Sequence, residues 1–179
     1  MTDKLFFDTD CISSFLWVDE TNIITELYGG RIVLPEPVYN ELSNPCVPHL
    51  KQRTDILLNA KSAEVKIILE GTEEYELYNK LIQGGEGVIP IGHGEAGGVA
   101  LAKVYDGILA SNNYRDIAVY IEKYHLQHTD TGLIMKEALE KEIITEEQGN
   151  EIWGKMLARR RILPSGSFTE YMESLYCDD

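Results

Sequence analysis

The sequence predicts an α/β protein in which a parallel sheet of about five strands carries helices on both faces and a helical C-terminal extension follows. Short apolar runs alternate with longer amphipathic stretches from residue 5 to about residue 142, the pattern of repeated βα units. Most of these runs are continuously apolar, as in strands buried on both faces. Asp, Asn and Pro cluster where runs hand over to helices, and these residues satisfy or tolerate the free N–H groups of a first turn.

Leu5-Phe6-Phe7 is the first strand, handed over at Asp8-Thr9-Asp10 to a helix through Cys11 and Leu16. Asp8 thus stands at a strand's C-terminal end, the edge where open α/β sheets bind ligands. Asp8-Thr9-Asp10 also suits a plain helix N-cap. Asp19-Glu20-Thr21-Asn22 caps a short helix carrying Ile23, Ile24 and Leu27, which Gly29-Gly30 ends. Arg31 to Pro35 is the second strand. The helix after it has Pro37 in its first turn, Val38 and Leu42 on one face, and Glu41 flanking that stripe. Leu50 to Lys61 reads as a helix with three cations, and Ala63 to Leu69 alternates partly with period two, as an edge strand does. Thr72 caps an acidic helix to Leu81, and Gly84-Gly85-Glu86-Gly87 is a loop.

After Gly92-His93, small residues from Ala96 to Ala102 allow a helix to lie close to its neighbour, with Glu95 in a first turn whose dipole favours anions. His93 reads as a loop residue. Gly107 to Ser111 is a strand, Asn112 to Asp116 the turn at its C-terminal end, Ile117 to Tyr124 a helix and Leu126 to Thr129 the last strand. Asp130-Thr131-Gly132 then opens a helix from Leu133 to Glu142. The remainder reads as all helix: Thr145-Glu146-Glu147-Gln148 caps a segment through Trp153 and Met156 that ends in Ala158-Arg159-Arg160-Arg161. That basic run suits phosphate contact and equally a solvated helix C-terminus.

Sixteen Lys and Arg against thirty Asp and Glu give a net charge of −14. That charge opposes nonspecific attraction to nucleic-acid phosphates, so any nucleic-acid substrate must be drawn in locally. Cys11, Cys46 and Cys177 are odd in number and lack C-x-x-C spacing, which argues against a disulfide framework or a zinc site and fits a reducing cytoplasm. No long uncharged apolar stretch is present, and Met1 to Lys4 leads into the first strand without an apolar signal region; the expectation is a cytoplasmic protein with no membrane partner. The length suits one domain, with residues 1–144 forming it and residues 145–179 a helical extension packed on it.

Asp8, Glu41, Glu95 and the Asn113/Asp116 turn all fall at strand ends or on the helices that follow, so they can converge at one end of the sheet. Clustered carboxylates repel unless a cation neutralises them, which points to a hard divalent ion such as Mg²⁺ or Mn²⁺. The order Phe6-Phe7-Asp8-Thr9-Asp10, Leu34-Pro35-x-x-Val38-x-x-Glu41-Leu42, Gly94-Glu95-Ala96-x-x-Val99-Ala100-Leu101-Ala102 and Ile108-Leu109-Ala110-Ser111-Asn112-Asn113 resembles the PIN-domain family from residue 5 to about residue 142. This resemblance implies a three-layer α/β/α sandwich and a metal-dependent ribonuclease site, as in the VapC-like toxins of toxin–antitoxin pairs. It implies Asp8, Glu41 and Glu95 as metal ligands. For the fourth, many members have Asp where this chain has Asn113, and Asp116 lies three residues on. An amide oxygen brings no negative charge, so metal affinity drops unless Asp116 or Asp10 contributes.

Three readings follow. The first is a Mg²⁺/Mn²⁺-dependent RNA endonuclease with catalytic Asp8, Glu41, Glu95 and Asp116, in which the ions activate water and steady the leaving oxygen. Its partners are RNA, an antitoxin protein and a second copy of the chain, the homodimer formed through Ile152, Trp153 and Met156 of the tail. The second is a catalytically weakened PIN-like module that binds RNA or a protein. The third is an unrelated doubly wound enzyme such as a small-molecule phosphatase; no G-x-x-x-x-G-K-[ST] element supports a nucleotide cofactor.

Overall fold

The computed structural model describes residues 3–85 and 87–177. Residues 1–2, Glu86, residues 178–179 and the side chain of Cys177 lie outside the described residues, and with them the start of the expected N-terminal lead-in and the middle of the Gly84 to Gly87 loop. In chain order the elements are β1 (Leu5–Phe7), α1 (Thr9–Val18), α2 (Thr21–Tyr28), β2 (Ile32–Pro35), α3 (Glu36–Leu42), α4 (Pro48–Asn59) and β3 (Ala63–Lys66). There follow α5 (Glu73–Gln83), α6 (His93–Val104), β4 (Ile108–Ala110), α7 (Tyr114–Tyr124), β5 (Gln127–Thr129), α8 (Thr131–Glu140), α9 (Glu146–Ala158) and α10 (Phe168–Cys177).

Successive strand side chains point to opposite faces, and that period sorts the core into two layers. Leu5, Phe7, Ile32, Leu34 and Ala110 enter one layer with α1 to α4 and α8 to α10. Phe6, Val33 and Leu109 enter the other with α5, α6 and α7. The five strands run parallel in the order β3-β2-β1-β4-β5. This is the expected three-layer α/β/α sandwich. The chain moves outward from β1 to β3 and then crosses back to β4, and right-handed crossovers taken in opposite directions place their helices on opposite faces. The strand order reverses between β1 and β4, so the crevice outside their C-terminal ends is the topological switch point.

Helix α6 approaches the sheet closely where its buried face carries Gly97 and Gly98. A Cβ on Gly97 would stand 2.9 Å from Pro35 Cβ, and one on Gly98 would stand 2.9 Å from Leu109 Cδ1. The small residues expected to permit close packing do so, and they fix the height of α6 above β2 and β4.

Two expectations are corrected. Helix α7 begins at Tyr114, so Asp116 lies in its first turn and not in a free turn. The tail is not all helix: α9 ends at Ala158, Arg160 adopts the left-handed conformation (φ 58°), and residues 159–167 are non-helical before α10. The Arg160 amide donates to Leu157 O (2.9 Å) and the Arg161 amide to Met156 O (3.1 Å), the paired bonds that close a helix and reverse the chain. Pro164 lacks the N–H that a continuing helix would need.

The tail residues expected at a dimer interface are consumed within the chain. Ile152, Trp153 and Met156 are all buried. The Trp153 ring packs against Phe168 (centroids 5.6 Å apart) and Tyr171 (5.3 Å), and its indole N–H donates to Ser165 O at 3.0 Å. Helix α9 packs on α1, while α10 covers α9 and α8. Among the described residues no helix is long and apolar enough to cross a membrane.

The seat of α10 depends on a missing side chain at Gly149, where a Cβ would stand 2.4 Å from Phe168 Cδ1. Gly149→Ala therefore overpacks the α9/α10 contact and lowers stability by about 1–3 kcal/mol, read as a lower urea midpoint with an unchanged m-value.

Candidate active site

Asp8 follows the last residue of β1, where the chain must turn out of the sheet. Its amide still belongs to the sheet, donating to Ala110 O at 2.9 Å. One carboxylate oxygen, Oδ1, caps α1 by accepting from the Cys11 amide at 2.7 Å. The plain capping role is therefore real and occupies half of the group. The other oxygen, Oδ2, is buried and has no hydrogen-bond partner among the described residues. A buried carboxylate oxygen without a partner is costly, and the effect reaches the protonation equilibrium. Burial pushes the Asp8 carboxyl up to about 7; the Ser111 hydroxyl and the Cys11 amide oppose this, while the charges of Asp10 and Glu95 add to it.

Glu41 reaches the same place from α3. Val38 and Leu42 are buried in the layer below, which turns Glu41 outward over the sheet edge, where its Oε2 accepts from the Thr9 hydroxyl. Gly94, the second residue of α6, makes room: a Cβ there would stand 2.8 Å from Thr9 Oγ1 and 3.4 Å from Glu41 Oε2. Glu95 follows in the first turn of α6. Its Oε2 accepts from the Gly92 amide at 2.8 Å, a cap of its own helix, and its Oε1 accepts from Asn113 Nδ2 at 2.5 Å. Asp8, Glu41 and Glu95 together line one cleft of ≈ 200 Å³, with Asp10, Thr9 and His93 on its walls. His93 lies in the first turn of α6 and pairs with the Tyr78 hydroxyl at 2.8 Å, as a positional residue of that turn.

The Asn113/Asp116 pair sits on the far side of Glu95. Asn113 Nδ2 donates to Glu95 Oε1 and also to Asp116 Oδ2, the latter at 2.8 Å. Asn113 thus meets both carboxylates through its nitrogen and links them as a neutral bridge. Neither Asn113 nor Asp116 lines the cleft around Asp8.

Among the described residues no three His, Cys, Asp or Glu side chains are grouped closely enough to hold a metal ion between them. The donor set nonetheless suits a hard ion of the Mg²⁺ type. Such an ion keeps several waters and is bound through one or two carboxylates, with no need of an all-protein cage, and Asp8 Oδ2 is a buried carboxylate oxygen with no hydrogen-bond partner among the described residues.

Three contacts were not anticipated from the sequence. Thr9 holds Glu41 across 32 residues. Ser111, fully buried just after β4, holds the Asp8 pKa down against burial. Arg161 returns from the tail to place Nη1 3.2 Å from Ser13 Oγ and 3.9 Å from Asp10 Oδ1. Gly92-His93-Gly94-Glu95-Ala96-Gly97 also has G-x-G-x-x-G spacing, but no strand immediately precedes it and the Glu95 carboxylate already occupies the first turn. It therefore lacks the strand–turn–helix context of a dinucleotide fingerprint.

No family model matches the chain, and no curated protein matches it. Among solved structures the chain is similar to VapBC-1 from nontypeable Haemophilus influenzae, at 18% identity and a TM-score of 0.48 over 71% of this chain and 98% of that one. It is similar to VapBC2 from Rickettsia felis bound to a DNA fragment from their promoter, at 16% identity and 0.46 over 70% and 97%. A third, PAE2754 from Pyrobaculum aerophilum, gives 12% identity and 0.47 over 77% and 98%.

Proposed function

We propose that this chain is a divalent-metal-dependent RNA endonuclease of PIN-domain type, acting as the toxin of a toxin–antitoxin pair. The observation that carries the reading is Asp8: a carboxylate buried at the switch point of a parallel sheet, with one oxygen unpartnered, beside Glu41 and Glu95 in a shared cleft. The four ordered motifs that resemble the PIN family supply the choice of reaction and of RNA as substrate, and with it an antitoxin as protein partner.

In this reading Asp8, Glu41 and Glu95 hold Mg²⁺ or Mn²⁺. When bound, the ion polarises the phosphodiester and lowers the pKa of water at the site. The protein's own residues do the positioning. Thr9 orients Glu41, the Gly92 amide and Asn113 orient Glu95, and Asn113 keeps Asp116 at the cleft's outer side. Burial lets Asp8 keep its proton to near neutral pH when no cation is present, and a cation selects the ionised form.

The weakened binding module is favoured by one observation, the neutral Asn113 bridge between Glu95 and Asp116. Cleavage of a panel of structured RNAs, with Mn²⁺ and with chelator, separates the two readings. Mn²⁺-dependent cleavage is expected; no cleavage above the metal-free control leaves the binding module as the better account.

The buried charge gives a second expectation. Because the folded-state pKa of Asp8 lies above its ordinary value, the native protein retains a proton that the unfolded chain releases, so stability is lost as pH rises from about 4 to about 7. Asp8→Asn removes that penalty. In chelator the variant should be more stable than the parent at pH 8, by on the order of 4 kcal/mol, and match it near pH 4. Added Mn²⁺ should raise the melting temperature of the parent alone, and calorimetric titration should show binding at least roughly tenfold weaker in Asp8→Asn.

Asn113 and Asp116 give a third. Asn113→Asp sets a third carboxylate against Glu95 and Asp116, so without metal the protein should lose stability, and with Mn²⁺ both affinity and cleavage should rise. If Asp116 already supplies the fourth charge, Asp116→Asn should abolish cleavage while Asn113→Asp leaves it flat or lower. Assaying the two variants on the same RNA at one Mn²⁺ concentration assigns the ligand.

A further inference from the structure

Beyond the carboxylate cleft lies a second cavity of ≈ 240 Å³, walled on one side by Arg160 and Arg161 of the non-helical tail segment and on the other by Asp10, Ser14, Asn112 and Asn113. Asp10 lines both cavities, and Asn113 joins the second cavity to Glu95 through its hydrogen bond. The two are therefore adjacent stations along the same edge of the sheet, one anionic and one cationic.

The cationic station is built and held in place. The reversal at Arg160 brings Arg161 back over α1, where its side chain is 22% exposed. The Arg161 guanidinium lies 5.8 Å from the Trp17 ring centroid, with Arg159 at the same distance. Nη1 donates to Ser13 Oγ at 3.2 Å and Nε to Arg159 O at 3.3 Å. The carboxylate it faces, Asp10, is 62% exposed and 3.9 Å away, beyond hydrogen-bonding distance. Packing and neutral acceptors orient the guanidinium, and its ion pair with Asp10 is long and solvent-exposed, so an anion from solution can compete for its charge. Asn112 is fixed too: its Oδ1 accepts from the Thr131 amide at 2.9 Å and its Nδ2 donates to Ser14 Oγ at 3.3 Å.

We propose that this cavity binds a backbone phosphate of the RNA strand next to the one held at the carboxylate cleft, with Arg161 and Arg160 as its cations. The inference rests on the nuclease reading above and adds to it a binding subsite from the C-terminal extension. On a chain of net charge −14 a polyanion is repelled by the average surface, so a strand threaded past the cleft needs fixed local cations. A planar guanidinium suits phosphate oxygens.

The test uses the full chain. In the Asp8→Asn background, anisotropy of a fluorescent single-stranded RNA is followed through a salt titration for the proteins with Arg161 and Arg160 intact, with Arg161→Gln, with Arg161→Lys and with Arg160→Gln. Lys103→Gln, an exposed change at the opposite end of α6, is the control. Loss of one phosphate contact should weaken binding at low salt and lower the salt slope by about 0.7, with Arg161→Lys keeping the slope and Lys103→Gln unchanged. With Asp8 present and Mn²⁺ added, Arg161→Gln should raise KM several-fold and leave kcat near the parent value. Should Arg161→Gln melt early through loss of its Trp17 and Ser13 contacts, the exposed Arg160→Gln carries the measurement. Equal binding and equal slope for both arginine variants, in a protein that cleaves RNA, overturn the subsite and leave the nuclease standing. A parent that neither binds nor cleaves RNA overturns both.

Discussion

The burial of β1 at the centre of the sheet is the constraint on which the rest of the molecule hangs. It has only three residues, yet Leu5 and Phe7 anchor one layer and Phe6 the other, and its two ladders join β2 to β4. A strand buried on both faces has no solvated side on which to place a polar residue, so the first one available is where the chain leaves the sheet. That residue is Asp8. Its backbone is held by β4 and half its carboxylate by α1, so the remaining oxygen is fixed by the same contacts that close the fold.

Around that fixed oxygen the acidic residues are kept from one another by neutral donors. Thr9 takes Glu41, the Gly92 amide and Asn113 take Glu95, and Asn113 takes Asp116 as well. Each bond holds a carboxylate in place with little added charge, whereas a lysine in the same position would neutralise it and compete with a cation. Asp8 Oδ2 has no hydrogen-bond partner among the described residues, so the cost of burial falls on the protonation of Asp8.

The alternation of elements was legible because a buried strand and an amphipathic helix each leave a local period, as in Leu5 to Phe7 and in Val38 with Leu42. Asp8, Glu41 and Glu95 were legible as candidates because strand ends and first turns are marked by their neighbours, and the fold brings these three to one cleft. Contacts that span the chain leave no such mark. Arg161 meets Ser13 across 148 residues, and nothing near either residue announces it. Trp153 reads from the sequence as an interface residue because its cover, Phe168 and Tyr171, lies on α10, beyond the non-helical break that no local pattern marks. Asn113 reads as a ligand position from its place after β4, while its position between two carboxylates depends on where α6 and α7 come to rest.

The paired glycines on the buried face of α6 have a consequence for how changes spread through the protein. With Gly97 against Pro35 and Gly98 against Leu109, the helix backbone meets side chains of the sheet directly at these two positions. A methyl group added at Gly97 meets the rigid Pro35 ring, cannot be absorbed by a side-chain rotation and must lift or tilt the helix. Glu95 rides at the end of that helix. Positions whose only visible duty is packing thus set the spacing of the acidic cleft, and the tolerance of the site to drift in sequence is that of the helix–sheet joint beneath it.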